Sequence, residues 1–259
     1  MPSWPESCGV VVGVANKRSL AWAIARAAHA AGARLVLTYQ NERLRENVEE
    51  LAATLDPAPL LLPCDVSLDA DIAALFARVG AEWPDGLDFL VHGAAFAPRE
   101  AISEPFVKTS REAWRIALDV SAYSLVALAN GAAPLMARRG GGSILTLTYL
   151  GAQRVFPNYN VMGVAKAALE ASVRYLASDL GPQNIRVNAI SAGPVKTLAA
   201  AGVAGFSSIL KVYQERAPLR RNIETAEVAE AALFLLGPAG RGVTAEVLHV
   251  DCGYHAVGM

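Results

Sequence analysis

The stretch Gly9-Val10-Val11-Val12-Gly13-Val14-Ala15-Asn16-Lys17-Arg18-Ser19-Leu20-Ala21 decides the fold. Val10, Val11 and Val12 form an unbroken apolar run, the pattern of a strand buried on both faces. Gly13 offers a tight turn, and a helical pattern begins near Ser19. Strand, small-residue turn and helix N-terminus together suit an anion. The turn lets backbone approach a pyrophosphate, and the helix end carries partial positive charge. Gly13 supplies the turn, and the small Ala15 and Ala21 leave room. Only one glycine of a Gly-x-Gly-x-x-Gly pattern is present, so the loop alone reads equally as a plain strand–helix turn. Ser19 is either a phosphate ligand or a helix cap.

The same alternation repeats outward from this stretch. Strands are expected at residues 9–14, 34–39, 60–64, 89–92, 143–148, 186–191 and 246–250. Helical patterns lie between them, among them 20–31, 42–55, 69–81, 110–136 and 161–180. Strands joined through helices give right-handed βαβ units and a parallel sheet covered on both faces. The expected fold is α/β, a Rossmann-type doubly wound sheet of seven parallel strands. No repeat and no Pro-, Gly- or Ser-rich linker divides the chain, so residues 1–259 read as one domain. Such a sheet takes its ligand at the carboxyl ends of the strands.

Composition agrees and excludes other classes. Against 24 acidic residues stand 23 Lys and Arg, a net charge of -1, so no basic excess points to nucleic acid. At 53% hydrophobic and 18% charged residues the chain is not a disordered one. The most apolar segment, 125–137, is interrupted by Asn130, Gly131 and Pro134, which argues against a membrane span. Cys8, Cys64 and Cys252 are far apart, without metal or redox spacing, and suit a reducing, cytoplasmic setting.

Two further strand ends carry polar groups. The second ends at Tyr39-Gln40, where an acid favours NAD and an Arg favours NADP. Gln40 is neutral and can bond a ribose; Arg43 nearby is either a phosphate ligand or a solvated helix residue. At the third, Asp65 either accepts from an adenine amino group or caps a helix.

The segment from Thr148 to Lys166 carries the chemistry. Tyr159 and Lys166 stand seven positions apart, which on a helix puts them on one face about 10 Å apart along the axis. Gly163 between them leaves space for a ligand. The opposite stripe, Ala165, Leu169, Val173, Leu176 and Leu180, would face the core. A tyrosine hydroxyl can donate to an oxygen gaining charge, and a nearby ammonium would lower its pKa. Either residue alone also fits an interfacial Tyr or a surface Lys; together, beside Tyr149, they favour function.

At this point the chain resembles the enoyl-acyl-carrier-protein reductases, a divergent branch of the short-chain dehydrogenase/reductase family. The likeness runs nearly end to end. It includes 13–21, Thr38-Tyr39-Gln40-Asn41, Cys64-Asp65-Val66, Thr148-Tyr149-Leu150-Gly151, 157–163 and Lys166, then Arg186-Val187-Asn188-Ala189-Ile190-Ser191-Ala192-Gly193-Pro194 and His249-Val250-Asp251. Six residues separate tyrosine from lysine, where ordinary short-chain dehydrogenases have three.

The resemblance implies a homotetrameric, NADH-dependent reductase of trans-2-enoyl thioesters in fatty-acid synthesis. NAD would meet Gly13, Ser19, Leu20, Gln40, Asp65, Val66, Ala94, Lys166 and Val195, Lys196, Thr197, Leu198 and Ala199. Tyr149, Tyr159 and Lys166 would be catalytic, with Tyr159 donating to the enolate oxygen and Lys166 binding the nicotinamide ribose. Ala97, Tyr149 and Tyr159 would meet the substrate, and 197–211 would form a lid. No metal is implied. Two departures stand out. His92-Gly93-Ala94-Ala95 replaces the usual His-Ser-Ile-Gly or His-Ser-Ile-Ala, which suggests a roomier cofactor pocket. The lid segment Val203-Ala204-Gly205-Phe206-Ser207-Ser208 lacks the basic residues that meet acyl carrier protein, for which Lys211, Arg220 and Arg221 are candidate substitutes. A reductase of another enone or carbonyl compound and a non-catalytic NAD-binding paralogue are the alternatives.

Overall fold

The structure, a computed structural model, describes Trp4 and residues 7–195 and 206–258. Its strands are β1 (Cys8–Val12), β2 (Arg34–Tyr39), β3 (Leu60–Pro63), β4 (Phe89–His92), β5 (Gly142–Thr148), β6 (Ile185–Ala192) and β7 (Val247–Val250). They form one parallel sheet in the order β3-β2-β1-β4-β5-β6-β7. The seven expected strands and the doubly wound fold are therefore observed. The order reverses at β1, so a crevice opens between the carboxyl ends of β1 and β4.

The helices are α1 (Leu20–Ala30), α2 (Glu42–Ala52), α3 (Asp69–Glu82), the short α4 (Glu100–Ser103), α5 (Arg111–Leu118), α6 (Ser124–Arg138), α7 (Val161–Leu180), α8 (Phe206–Arg216) and α9 (Thr225–Leu236). Alternation along the strands splits the core. Val10, Val12 and Leu90 pack under α3, α6 and α7, while Val11, Phe89 and Val91 pack under α1, α2 and α9. Each strand is apolar on both faces because each face has its own helical cover.

Four expectations change. The first strand ends at Val12, because Gly13 turns at φ +95°. The second helix stops at Ala52. The helix expected over 110–136 is two helices joined by a π-turn, Asp119–Tyr123. Asn130, Gly131 and Pro134 do not interrupt α6; a Cβ at Gly131 would collide with the Phe76 ring, so that glycine serves close packing on α3. The helical run Arg111–Arg138 is long and apolar enough by composition to cross a membrane, and half of its most apolar window is buried inside the protein. Leu125, Leu128, Ala132 and Met136 from that run belong to the core.

Candidate active site

The crevice is built from backbone held close. A Cβ on Gly13 would strike the backbone of Gly93, and a Cβ on Gly93 would lie 2.8 Å from the Val12 carbonyl oxygen and 3.0 Å from Ala21 Cβ. The expectation of a roomier pocket is thus corrected at Gly93: Val12 and Ala21 already fill the space that a serine side chain would take. Ser19 precedes α1 but does not cap it. Its Oγ accepts from the N–H groups of Ala15 and Asn16, at 3.2 and 3.1 Å. No acidic residue stands in the first turn of α1, so its positive end is open toward the crevice. Leu20 and Val195 are partly buried against the α1 side of the core, and Ala94 against the other side.

β2 and β3 bring the two adenosine candidates together: Gln40 Nε2 donates to Asp65 Oδ2 at 3.0 Å. Asp65 is not a helix cap. Its Oδ1 accepts from the Ser67 N–H and hydroxyl at 2.9 and 2.7 Å in a local turn. Partial burial acts to raise its pKa, and the bonds from Ser67 and Gln40 outweigh that and hold the carboxyl below its usual range. Val66 is buried beside it. Arg43 is exposed in the first turn of α2.

His92, at the end of β4, is completely enclosed. Nδ1 lies 2.7 Å from Thr146 Oγ1 and Nε2 lies 2.8 Å from Ser124 Oγ. Ser124 gives its own proton to the Val120 carbonyl, so its oxygen accepts from His92 Nε2–H, and the buried surroundings disfavour a second proton on the ring. Burial, with Lys166 adding to it, pulls the imidazole pKa down to about 3. The π-turn shapes this region. Ser121 Oγ accepts from Phe96 N–H at 2.9 Å and donates to the Phe96 carbonyl, fixing the loop after β4. Sequence reasoning missed both serines, since buried serines in an apolar helix carry no periodic signal. Ala97, next in that loop, packs with Ala101, Ala113 and Val161.

Tyr149, Tyr159 and Lys166 converge at the carboxyl end of β5, but not by helical spacing. α7 starts at Val161, and Tyr159 precedes it between Asn158 and Asn160, both at positive φ. The rise of a helix therefore does not set the distance from Tyr159 to Lys166. Gly163 also has another role. A Cβ there would lie 2.8 Å from the Gly151 carbonyl oxygen, so the glycine admits the turn after β5 rather than a ligand. Gly151 in turn packs on the Tyr159 ring, which stands edge-on to Tyr149 at 5.1 Å. The stripe of α7 behaves as expected: Ala165, Leu169 and Val173 are fully buried.

Burial raises the Tyr159 pKa, with Tyr149 and Glu170 adding to it, so the expected lowering by an ammonium is corrected. The physical reason is that Lys166 directs Nζ at the Leu147 carbonyl, 2.8 Å away. Lys166 is itself only 6% exposed, and burial pulls its pKa down to about 8 despite the opposing Glu170 carboxylate. Tyr149 touches Phe156 and lies 3.5 Å from the Tyr213 hydroxyl, which comes from α8. Burial likewise keeps Tyr149 protonated. Tyr213, stacked on Tyr254, is a site neighbour that the sequence did not single out.

This arrangement can hold an anion at the α1 turn, a polar ring system near Gln40 and Asp65, and an oxygen beneath two protonated tyrosines. Comparison with known proteins shows the family. The model of the enoyl-(acyl carrier protein) reductase family matches residues 13–255. The chain belongs to that family. It is 53% identical to the enoyl-[acyl-carrier-protein] reductase [NADH] FabI of Bacillus subtilis over 247 residues, 95% of each chain. The structure of the Bacillus cereus enoyl-acyl carrier protein reductase with NADP+ and indole naphthyridinone superposes with a TM-score of 0.96 at 52% identity, over 100% of both chains. That of the Anaplasma phagocytophilum enzyme in complex with NAD has a TM-score of 0.93 at 50% identity, covering 98% of this chain and 95% of its own.

The basic residues named as candidate substitutes in the sequence are largely spent. Arg221 makes a two-pronged pair with Glu227 at 2.6 and 2.8 Å, Lys211 approaches Glu215 at 3.8 Å, and Arg220 donates to the Glu215 carbonyl. Lys196, Thr197, Leu198 and Ala199, and the lid as far as residue 205, lie outside the described residues; Ser207 to Lys211 belong to α8.

Proposed function

We propose that this chain is an NADH-dependent enoyl-acyl-carrier-protein reductase of fatty-acid synthesis, reducing the trans-2 double bond of an enoyl thioester. The observation that carries the reading is the convergence of Tyr149, Tyr159 and the buried Lys166 beside the β1–β4 crevice. The crevice fits a dinucleotide. The α1 turn offers N–H donors without a competing acid, and Gln40 and Asp65 offer an amide and a carboxylate to an adenosine. Bound there, the nicotinamide supplies a hydride to the β-carbon of the substrate. Gly13, Ser19 and Leu20 hold the pyrophosphate. Val66, Ala94 and Val195, with Lys196, Thr197, Leu198 and Ala199, complete the cofactor contacts. Lys166 holds the nicotinamide ribose. Tyr159, kept protonated by burial, donates to the thioester oxygen as charge builds on it. Tyr149 and Ala97 line the acyl side, and 197–211 close over it.

The whole chain acts as one domain, in a cytoplasmic homotetramer, with the acyl chain delivered on acyl carrier protein. Because Arg221 and Lys211 are paired, delivery by carrier protein should gain less from low salt than a basic lid would allow. The test is the loss of NADH absorbance with 2-enoyl thioesters of graded length, with NADPH run in parallel. Absence of turnover at every length, in protein that binds NADH, overturns the reading. Faster turnover with simple enones or ketones would move the substrate class.

A further inference from the structure

Beside Lys166 the mechanism leaves a buried acidic residue unused. Glu170 is 6% exposed, four residues beyond Lys166 on α7. Its two oxygens are divided between two donors: Thr148 Oγ1 at 2.9 Å and Gln153 Nε2 at 3.3 Å. Thr148 immediately precedes Tyr149, and Gln153 ends the short turn whose Gly151 packs on Tyr159. One carboxylate thus ties α7 to both sides of the Tyr149–Tyr159 unit. Lys166 grips the same strand end one residue earlier, at the Leu147 carbonyl. Among the described ion pairs none joins Lys166 to Glu170, so the two charges act on each other across the site rather than cancelling in contact.

A buried carboxylate is costly where an uncharged residue of similar shape would serve, and here its two oxygens accept from neutral donors rather than from a cation. Its charge therefore needs a use. We propose that Glu170 is a positioning residue for the reduction, locking the end of β5 and its turn beneath Tyr149 and Tyr159 and setting its carboxylate across the site from Lys166, which grips the same strand end. The inference rests on the enoyl reductase reading above. The groups facing this pair are Tyr149 and Tyr159, which stay protonated, His92 of β4, which stays neutral, and His249 of β7, whose imidazole burial and His255 hold below its usual range. Glu170 is thus the anion that opposes the desolvation of Lys166.

The experiment measures NADH affinity from pH 6 to pH 9 by quenching of protein fluorescence, in parent and in Glu170→Gln. Glutamine keeps the shape and an acceptor for Thr148 but removes the charge. The expected result is near-parental affinity at pH 6 and an alkaline loss that begins about one pH unit earlier, so that binding at pH 8 weakens about fivefold. Glu170→Asp, which restores the charge on a shorter arm, should recover the parental pH midpoint while kcat with an enoyl thioester stays reduced. Thr148→Val should lower kcat and leave the NADH midpoint in place. If Glu170→Gln does not fold, Glu170→Asp and Thr148→Val still test the positioning role through kcat, and parental kcat in both overturns it. A parental pH profile in Glu170→Gln, or parental kcat in Thr148→Val, overturns the assignment. Because NADH binding is read without substrate, a parent that binds NADH but reduces no thioester overturns the functional reading instead.

Discussion

Two buried charged clusters sit at opposite ends of the same sheet. At the amino ends, Asp88 accepts from Arg139 through both oxygens at 3.0 and 2.8 Å and from the Cys8 N–H at 2.8 Å. At the carboxyl ends, Lys166 and Glu170 are more deeply buried than Arg139, yet each spends its bonds on neutral groups. The first cluster is internally neutralised and ties β1 and β4 to the end of α6. The second keeps its two charges out of contact with each other, both bonded at the end of β5 and the turn that follows it. Charges that find each other hold a fold; charges kept apart in a dry site remain available to a third party, at a cost in stability.

The largest effect expected from breaking this contrast is at the amino end. Asp88→Ala strands the Arg139 guanidinium and the Cys8 N–H, and should cost about 3 kcal/mol in urea unfolding. NADH affinity should stay within twofold; a large change there would erase the division of labour. At the other end Tyr159→Phe should lower kcat about 100-fold, with NADH binding and melting temperature nearly unchanged. Equal turnover would remove Tyr159 as the proton donor.

His92 sharpens the same point through pH. Its folded pKa lies below the unfolded one, so the unfolded state takes up the proton first as the solution is acidified. Stability present above pH 6.5 is lost on the way down to pH 3, by about 2 kcal/mol between pH 6.5 and 5. Denaturant midpoints across that range, in parent and in His92→Gln, measure this loss, which the variant should largely lack. The smallest effect is a gain. Lys166 is held below its ordinary pKa, so the fold favours its neutral form and stability rises only as pH climbs from about 8 toward 10.5. Lys166→Met should therefore stabilise the protein at pH 7 by about 1 kcal/mol, net of the lost bond to Leu147, while weakening NADH binding. A destabilised variant would mean that Lys166 serves the fold first.

Much of this architecture was legible from sequence because a strand buried on both faces has no alternation to hide behind. Val10-Val11-Val12 and Leu35-Val36-Leu37 announce themselves. The candidate site was legible in its members and less so in its geometry. Tyr159 and Lys166 read as two turns of one helix, yet two asparagines at positive φ place Tyr159 before the helix begins. Gly163 read as room for a ligand and proved to be room for the Gly151 carbonyl. Glu170 was one signal within reach: a carboxylate four residues from the key lysine, on the buried side of α7.

The sequence by itself determined the layering, the strand order's local units and the residue types at the crevice, because these follow from short-range patterns of polarity and chain stiffness. Only the tertiary structure decided which way each polar group turns. Ser19 faces its own loop, Gln40 meets Asp65, Lys166 grips Leu147 and Glu170 reaches Thr148. Those choices depend on donors and acceptors far apart along the chain, brought together where burial leaves each polar group in need of a partner.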